Sequence, residues 1–223
     1  MHRIALYDMD KTITRAPTWT SFLLRYAASE APWRLALLPV AGVVAFGYAV
    51  RLLNRAQLKE AAHWLMIGPR TAPATLARPA GRFAASLVAN GLFADALTQI
   101  AADRAAGYRI VLATASHHFY VDEIARALGI ADVVATAAQI DRDGWVLWRL
   151  DGDNCYGAAK LAKVEAWLAG QGVARNMAAV RFYSDHVSDT PTLDWADEGF
   201  VINADTALLA LAKTMGWCAL VWR

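Results

Sequence analysis

Along most of this chain, short continuous apolar runs alternate with longer stretches in which apolar residues recur at helical spacing. The first run, Ile4-Ala5-Leu6-Tyr7, predicts a strand over 3–8. Over 17–26, Trp19, Phe22, Leu23 and Tyr26 fall on one helical face. Further helices are predicted over 56–66 and 75–106, punctuated by Pro69, Pro73 and Pro79. Asn90-Gly91 reads as an internal stop and Gly107 as the end. Residues 15 to about 100 therefore read as an all-helical insertion behind the first strand.

Alternation of strand and helix then resumes. Tyr108 to Ala113 is a continuous apolar run, the pattern of a parallel strand covered on both faces. A helix is predicted over 121–128, a short strand over 132–135, and a hairpin over 138–149 turning at Asp141-Arg142-Asp143-Gly144. Helices over 158–169, 191–196 and 205–215 alternate with strands over 178–184, 199–203 and 217–222. This order predicts an α/β fold with a doubly wound, Rossmann-like parallel sheet. The core would comprise 1–14 and 101–223, with the helical cap of 15–100 inserted after the first strand.

The longest apolar stretch, Leu35 to Val50, lies inside the insertion between Arg34 and Arg51. Its 16 residues fall short of the ~20 needed to cross a bilayer, and Pro39, Gly42 and Gly47 interrupt it. A single crossing would also place the first strand and its later partners on opposite sides of the membrane. The run is therefore expected to be a buried helix of the insertion. The alternative is a monotopic element dipping into one leaflet.

Composition adds little to this picture, whereas the distribution of charge adds more. The hydrophobic fraction of 57% is ample for a sizeable core, and the net charge of +2 gives no overall electrostatic steer. Residues 15–100, however, carry +6 and the remainder −4. A basic insertion over an acidic core suits an anionic substrate held between them. The two cysteines, Cys155 and Cys218, fit a reducing compartment better than a disulfide framework. Met1-His2-Arg3 leads directly into a strand rather than into a signal-length apolar segment. A cytoplasmic location is expected, with the periphery of the inner membrane as the variant. Nothing in the sequence points to nucleic acid, and oligomeric state is not readable.

Four polar clusters coincide with predicted element ends. Asp8-x-Asp10-x-Thr12 follows the first strand, and Thr114, with Ser116 close behind, follows the run 109–113. Lys160 lies near the start of its helix after Asn154-Cys155-Tyr156-Gly157, and Ser184-Asp185-His186-Val187-Ser188-Asp189 follows the strand ending at Tyr183. In open α/β sheets, ligands bind at the carboxyl ends of the strands. Each residue type has a task in phosphoryl transfer. A carboxylate can attack phosphorus, and a metal shielding Asp8 from the phosphate's charge would permit that attack. Asp10 can protonate the leaving oxygen and then deprotonate water. Thr114, Lys160 and the backbone N–H groups of 9–11 can hold phosphoryl oxygens. Asp8 and Asp185, with Asp189 beside or behind them, can hold Mg2+, a hard cation that takes oxygen ligands.

With these motifs, DMDKTIT at Asp8, VLATAS around Thr114, Lys160, and YSDHVSD around Asp185 and Asp189, the chain resembles the haloacid dehalogenase superfamily of aspartate-nucleophile phosphohydrolases. The resemblance is to subfamily IB, the group that includes phosphoserine phosphatase and carries an all-helical cap between its first two motifs. The closing stretch from Phe200 to Arg223 resembles the branch containing CicA-type proteins. The resemblance implies Asp8 as the phosphorylated nucleophile and Asp10 as the general acid/base. It implies Thr114, Ala115 and Lys160 as the phosphate-binding set. It also implies Mg2+ held by Asp8, the backbone carbonyl of Asp10 and Asp185, with Asp189 ligating or orienting a water.

Phosphoserine phosphatases carry a glutamate nine residues after the nucleophile, and Pro17 stands there in this chain. That departure, with the apolar insertion, directs the expectation toward a small or lipid phosphomonoester other than phosphoserine. A phosphatidylglycerophosphate-like or lysophosphatidate-like substrate, and a peripheral membrane contact through the cap, are compatible with it. A phosphotransferase or mutase of the same fold stays open, as does a phospho-aspartate signalling module. By chain position, Arg15, Trp19 and Arg25 are the candidates for specificity. His117 and His118 are expected at the surface or at a helix entry rather than in catalysis, and His186 is expected to turn away from the metal.

Overall fold

The computed structural model describes residues 1–223. Strand β1 (His2–Tyr7) leads into a loop and then the insertion: α1 (Trp19–Glu30), a 3-10 segment (Pro32–Leu37), α2 (Leu38–Ala49), α3 (Arg55–Met66), β2 (Arg70–Thr71) and α4 (Pro73–Asn90). Next come α5 (Ala94–Ala105), β3 (Arg109–His117), α6 (His118–Ala127), β4 (Asp132–Ile140) and β5 (Val146–Asp151). The chain closes with α7 (Ala158–Gly170), β6 (Ala178–Ser184), α8 (Thr190–Trp195), β7 (Glu198–Ile202), α9 (Thr206–Met215) and β8 (Cys218–Leu220).

The strands form one mixed eight-stranded sheet in the order β2-β5-β4-β3-β1-β6-β7-β8. The stretch from β4 to β8 is parallel throughout, and β5 and β2 add antiparallel pairs at one edge. This is the expected α/β doubly wound architecture. Residues alternate between its two faces as the strand period requires. Ala5 and Tyr7 enter one core, which continues into the insertion through Phe22, Leu23, Tyr26 and Phe83. Ile4 and Leu6 enter the other, under α7, α8 and α9.

Four features differ from the sequence-based expectation. The strand expected over 132–135 and the first arm of the hairpin are one strand, β4, which pairs parallel with β3 and then antiparallel with β5. The insertion is not wholly helical, because Arg70–Thr71 adds a two-residue strand to β5. Helix α5 lies on the sheet, where its Asp103 accepts from Tyr7 Oη at 2.6 Å and Tyr183 Oη at 3.0 Å. The fourth difference is the largest. The run Leu35 to Val50 is not buried: no residue of Pro32–Ala49 is enclosed by the protein, although Leu35, Leu37, Ala41 and Val44 lean on the core beside it. A helix apolar on every side carries no pattern that separates burial in protein from exposure to an apolar environment.

Candidate active site

Register brings the expected residues together. β1 lies between β3 and β6, with Tyr7 opposite both Leu112 and Tyr183. The residues that follow on the three strands therefore emerge at one sheet edge. β1 is also where the connections switch sides, which opens a crevice in this class of sheet. Asp8 is still tied to the neighbouring strand, its N–H donating to the Tyr183 carbonyl at 2.9 Å. The chain then turns sharply. The N–H groups of Thr12, Ile13 and Thr14 all donate to the Met9 carbonyl, and Lys11 takes a left-handed conformation with φ 58°. That turn carries Asp10 back over the edge.

A cavity of about 220 Å3 opens there. Asp8, Asp10, Thr114, Ala115, Lys160, Asp185 and Asp189 all line it, so every expected site residue faces one space. Lys160, fully enclosed, bridges two carboxylates: Nζ lies 2.8 Å from Asp8 Oδ1 and 2.6 Å from Asp189 Oδ2. Ser184 Oγ also donates to Asp189 Oδ2, at 2.6 Å. Asp10 is oriented separately, through Oδ1 by the Thr18 N–H at 2.7 Å and through Oδ2 by Ser116 Oγ at 3.0 Å. Thr114 Oγ1 accepts from the Ser116 N–H at 3.2 Å, and Thr12 Oγ1 donates weakly to Asp185 Oδ1 at 3.4 Å.

The electrostatics follow from burial. Enclosure pushes the Asp8 carboxyl toward its protonated form; Lys160 opposes this, and Asp189 and Asp185 reinforce it. Burial works against the Lys160 charge, but Asp189 and Asp8 outweigh it, so the ammonium holds its proton more tightly than an ordinary lysine. Burial also raises Asp185, with His186 opposing and Asp189 adding.

The donor set suits a hard divalent cation. Asp8, Asp10, Asp185 and Asp189 bring four carboxylates to the cavity, against the cations of Lys11, Arg55 and Lys160. Asp189 Oδ1 is buried with no protein partner, and the Asp10 carbonyl accepts no hydrogen bond from the protein. All are oxygens, as Mg2+ prefers. Asp189 is held through Oδ2 by Lys160 and Ser184. Its free Oδ1 is suited to orienting a ligand beside Asp8 and Asp185.

Other expectations need correction. Arg15, Trp19 and Arg25 do not line this cavity. Arg15 Nε donates to the Leu92 carbonyl at 2.9 Å, and Arg25 Nη1 donates to Ser86 Oγ at 2.9 Å. Trp19 packs on His117 with ring centroids 4.6 Å apart. His117 and His118 stand at the entry of α6 as expected, His117 fully buried there and His118 paired with Asp122 outside. His186 lines the cavity, with Nδ1 2.8 Å from Ser188 Oγ. Pro17 lines the cavity, and the sequence did not reveal Arg55 of the cap or Tyr156 of the core, which also line it, the Arg55 guanidinium lying 4.0 Å from the Tyr156 ring centre. Lys59 reaches behind the site to the Ala115 carbonyl and to Asn154 Oδ1. Ser116 and Asn154 stood beside recognisable motifs and were open to detection; Arg55 and Lys59 had no local signal.

Comparison with known proteins agrees with this geometry. Residues 5–194 match the family model described as haloacid dehalogenase-like hydrolase. The chain is 30% identical over 229 residues to phosphoserine phosphatase SerB1 of Mycobacterium tuberculosis, covering 96% of this chain and 68% of that one. It is 29% identical to the protein CicA of Caulobacter vibrioides, covering 87% and 83%. A solved protein of unknown function from Bordetella pertussis superposes with a TM-score of 0.86 at 28% identity, covering 99% of this chain and 98% of that one.

Proposed function

The chain belongs to the haloacid dehalogenase-like hydrolases and is a phosphatase, and from that premise we propose that it is a Mg2+-dependent phosphomonoesterase working through an aspartyl phosphate at Asp8. The observation that carries this reading is the Lys160 bridge. It engages Asp8 through Oδ1 alone and leaves Oδ2 without a protein donor at the cavity wall. Asp8 Oδ2 attacks phosphorus, forming the Asp8 O–P bond as the ester O–P bond breaks. Asp10, held by Thr18 and Ser116, gives its proton to the departing oxygen. Water then attacks the phosphoaspartate as Asp10 takes a proton back, releasing phosphate and restoring Asp8. Thr114 Oγ1, the Ala115 N–H and Lys160 Nζ are the donors available for the phosphoryl oxygens. Asp8, Asp185 and the Asp10 carbonyl would hold Mg2+, with Asp189 orienting it. When bound, the cation supplies charge neutralisation between the Asp8 carboxylate and the incoming phosphate.

The substrate we propose is a phosphomonoester other than phosphoserine, the substrate named for SerB1. Pro17 on the wall offers no carboxylate to a substrate ammonium, whereas Arg55 offers a cation to a second anionic or polar group. The test is phosphate release, with and without Mg2+, from phosphoserine, histidinol phosphate, lysophosphatidate and phosphatidylglycerophosphate. Metal-dependent release from at least one ester other than phosphoserine supports the reading. Release from phosphoserine alone contradicts the substrate, and metal-independent release contradicts the cation.

A further inference from the structure

We propose that the cap segment 32–53 is a membrane-docking hairpin that seats the mouth of the active site on an anionic bilayer surface. The segment is apolar, leans on the core through Leu35, Leu37, Ala41 and Val44, and turns its other apolar side chains outward. Val43 is 70% exposed, Phe46 67%, Trp33 64% and Leu52 80%, and Leu38, Val40, Tyr48 and Val50 are exposed with them. Single exposed apolar residues are ordinary; a contiguous set on one projecting element marks an interaction surface.

Three observations choose the bilayer as the occupant. The first is topology. Both ends of the segment are fixed to the same body. Arg34 Nη1 donates to the Trp64 and Leu65 carbonyls, both at 2.9 Å, and at the other end α3 follows directly and is tied to the core by Lys59 Nζ, 2.7 Å from Asn154 Oδ1. The chain enters and leaves on one side, as a monotopic element must. The second is charge. Between Glu30 and Glu60 there is no acidic residue, while Arg34, Arg51 and Arg55 are basic; Lys59 is buried behind the site. Arg51 and Arg55 are exposed at the turn and on the helix that follows it. Each basic residue near an anionic surface strengthens binding roughly fivefold. Exposed Trp33 and Tyr48 add the amphipathic rings that favour a lipid–water interface. The third is continuity with the site. Arg55, four residues beyond Arg51, lines the cavity that holds Asp8. An element docked through Val43 and Phe46 therefore brings the cavity mouth toward the phosphate-bearing headgroup layer. The exposed residues at 38, 40, 43, 46 and 48 do not form the single stripe of a coiled-coil pair.

The docking does not depend on turnover. The further consequence, that the phosphomonoester is carried by a lipid, rests on the proposed function. The test is flotation of the full chain with phosphatidylcholine vesicles lacking or containing phosphatidylglycerol. It compares the wild-type protein with Val43→Asp/Phe46→Asp and is run beside size-exclusion light scattering and hydrolysis of a soluble aryl phosphate. The proposal expects salt-sensitive flotation with the anionic vesicles, reduced at least about tenfold by the double substitution while soluble-ester turnover is unchanged. No flotation with either vesicle overturns it. So does a dimer that the double substitution dissociates in a protein that ignores vesicles. Flotation by a protein that hydrolyses no ester leaves the docking supported and removes the catalytic reading instead.

Discussion

Lys59 Nζ, on cap helix α3, donates to Asn154 Oδ1 on the core at 2.7 Å, and the same ammonium donates to the Ala115 carbonyl of the phosphate-binding turn. Thr136 Oγ1, with one proton to give, lies 2.9 Å from Asn154 Oδ1 and 2.6 Å from the Ala115 carbonyl. The cap is thus bonded to the loop that is to hold phosphate. Burial, aided by Arg55 and opposed by Asp10, lowers the Lys59 pKa to about 7.

Lys59→Met should separate position from stability. The substitution keeps the buried stem and removes a costly charge, which offsets the one acceptor that Thr136, with a single proton, leaves open. The melting temperature should stay within about 3 °C of wild type, a change near 1 kcal/mol at most. Turnover of a soluble ester should fall about tenfold, because the phosphate loop loses its tie to the cap. Unchanged turnover would dismiss the link.

Asp103 should be the reverse case, important to the fold and distant from the chemistry. Its two oxygens accept from Tyr7 and Tyr183 on one side and from Arg181 at 2.8 Å on the other. Asp103→Leu leaves two buried phenol groups and a guanidinium without that partner. A loss of about 3–5 kcal/mol is expected in urea unfolding. The residual folded enzyme should retain its KM.

Acid should weaken the protein through His63. Both of its ring nitrogens are buried without partners, and burial lowers its pKa to about 4. His117 beside it is lowered as well, by burial and then by Lys59 and His63. The unfolded chain protonates these rings near pH 6.5 and the folded chain does not. The unfolded state therefore binds more protons in this window, and stability falls as pH drops from about 6.5 toward 4. His63 alone accounts for roughly 3 kcal/mol of that loss. Urea unfolding at pH 7.5 and 5 should show the difference, and His63→Phe should reduce it.

Where strand ends carried the chemistry, the sequence was a good guide. β6 occupies the predicted 178–184 because an unbroken apolar run bounded by polar residues has one reading in a covered parallel sheet. Asp8, Thr114 and Asp185 follow such runs and so were placed together before any fold was known. β4 was divided because it changes partners midway, from β3 to β5, with a register shift that no local pattern records. Arg55 and Lys59 were missed for a related reason: they approach Asp8 only through the folding of the cap, far away in sequence. Arg15, Trp19 and Arg25 are near in sequence but are engaged elsewhere, by the Leu92 carbonyl, the His117 ring and Ser86 respectively. The exposure of Leu35 to Val50 was hidden because uniform apolarity has no phase.

The central claim is that Asp8 carries the phosphoryl group. The direct measurement is borohydride reduction of a turnover mixture quenched in acid, followed by peptide mass mapping. An acyl phosphate is reduced to an alcohol, so the account predicts homoserine at position 8. It also predicts none in Asp8→Asn, whose kcat should fall by at least about a thousandfold. Reduction at Asp10 or Asp185, or full turnover by Asp8→Asn, would contradict it.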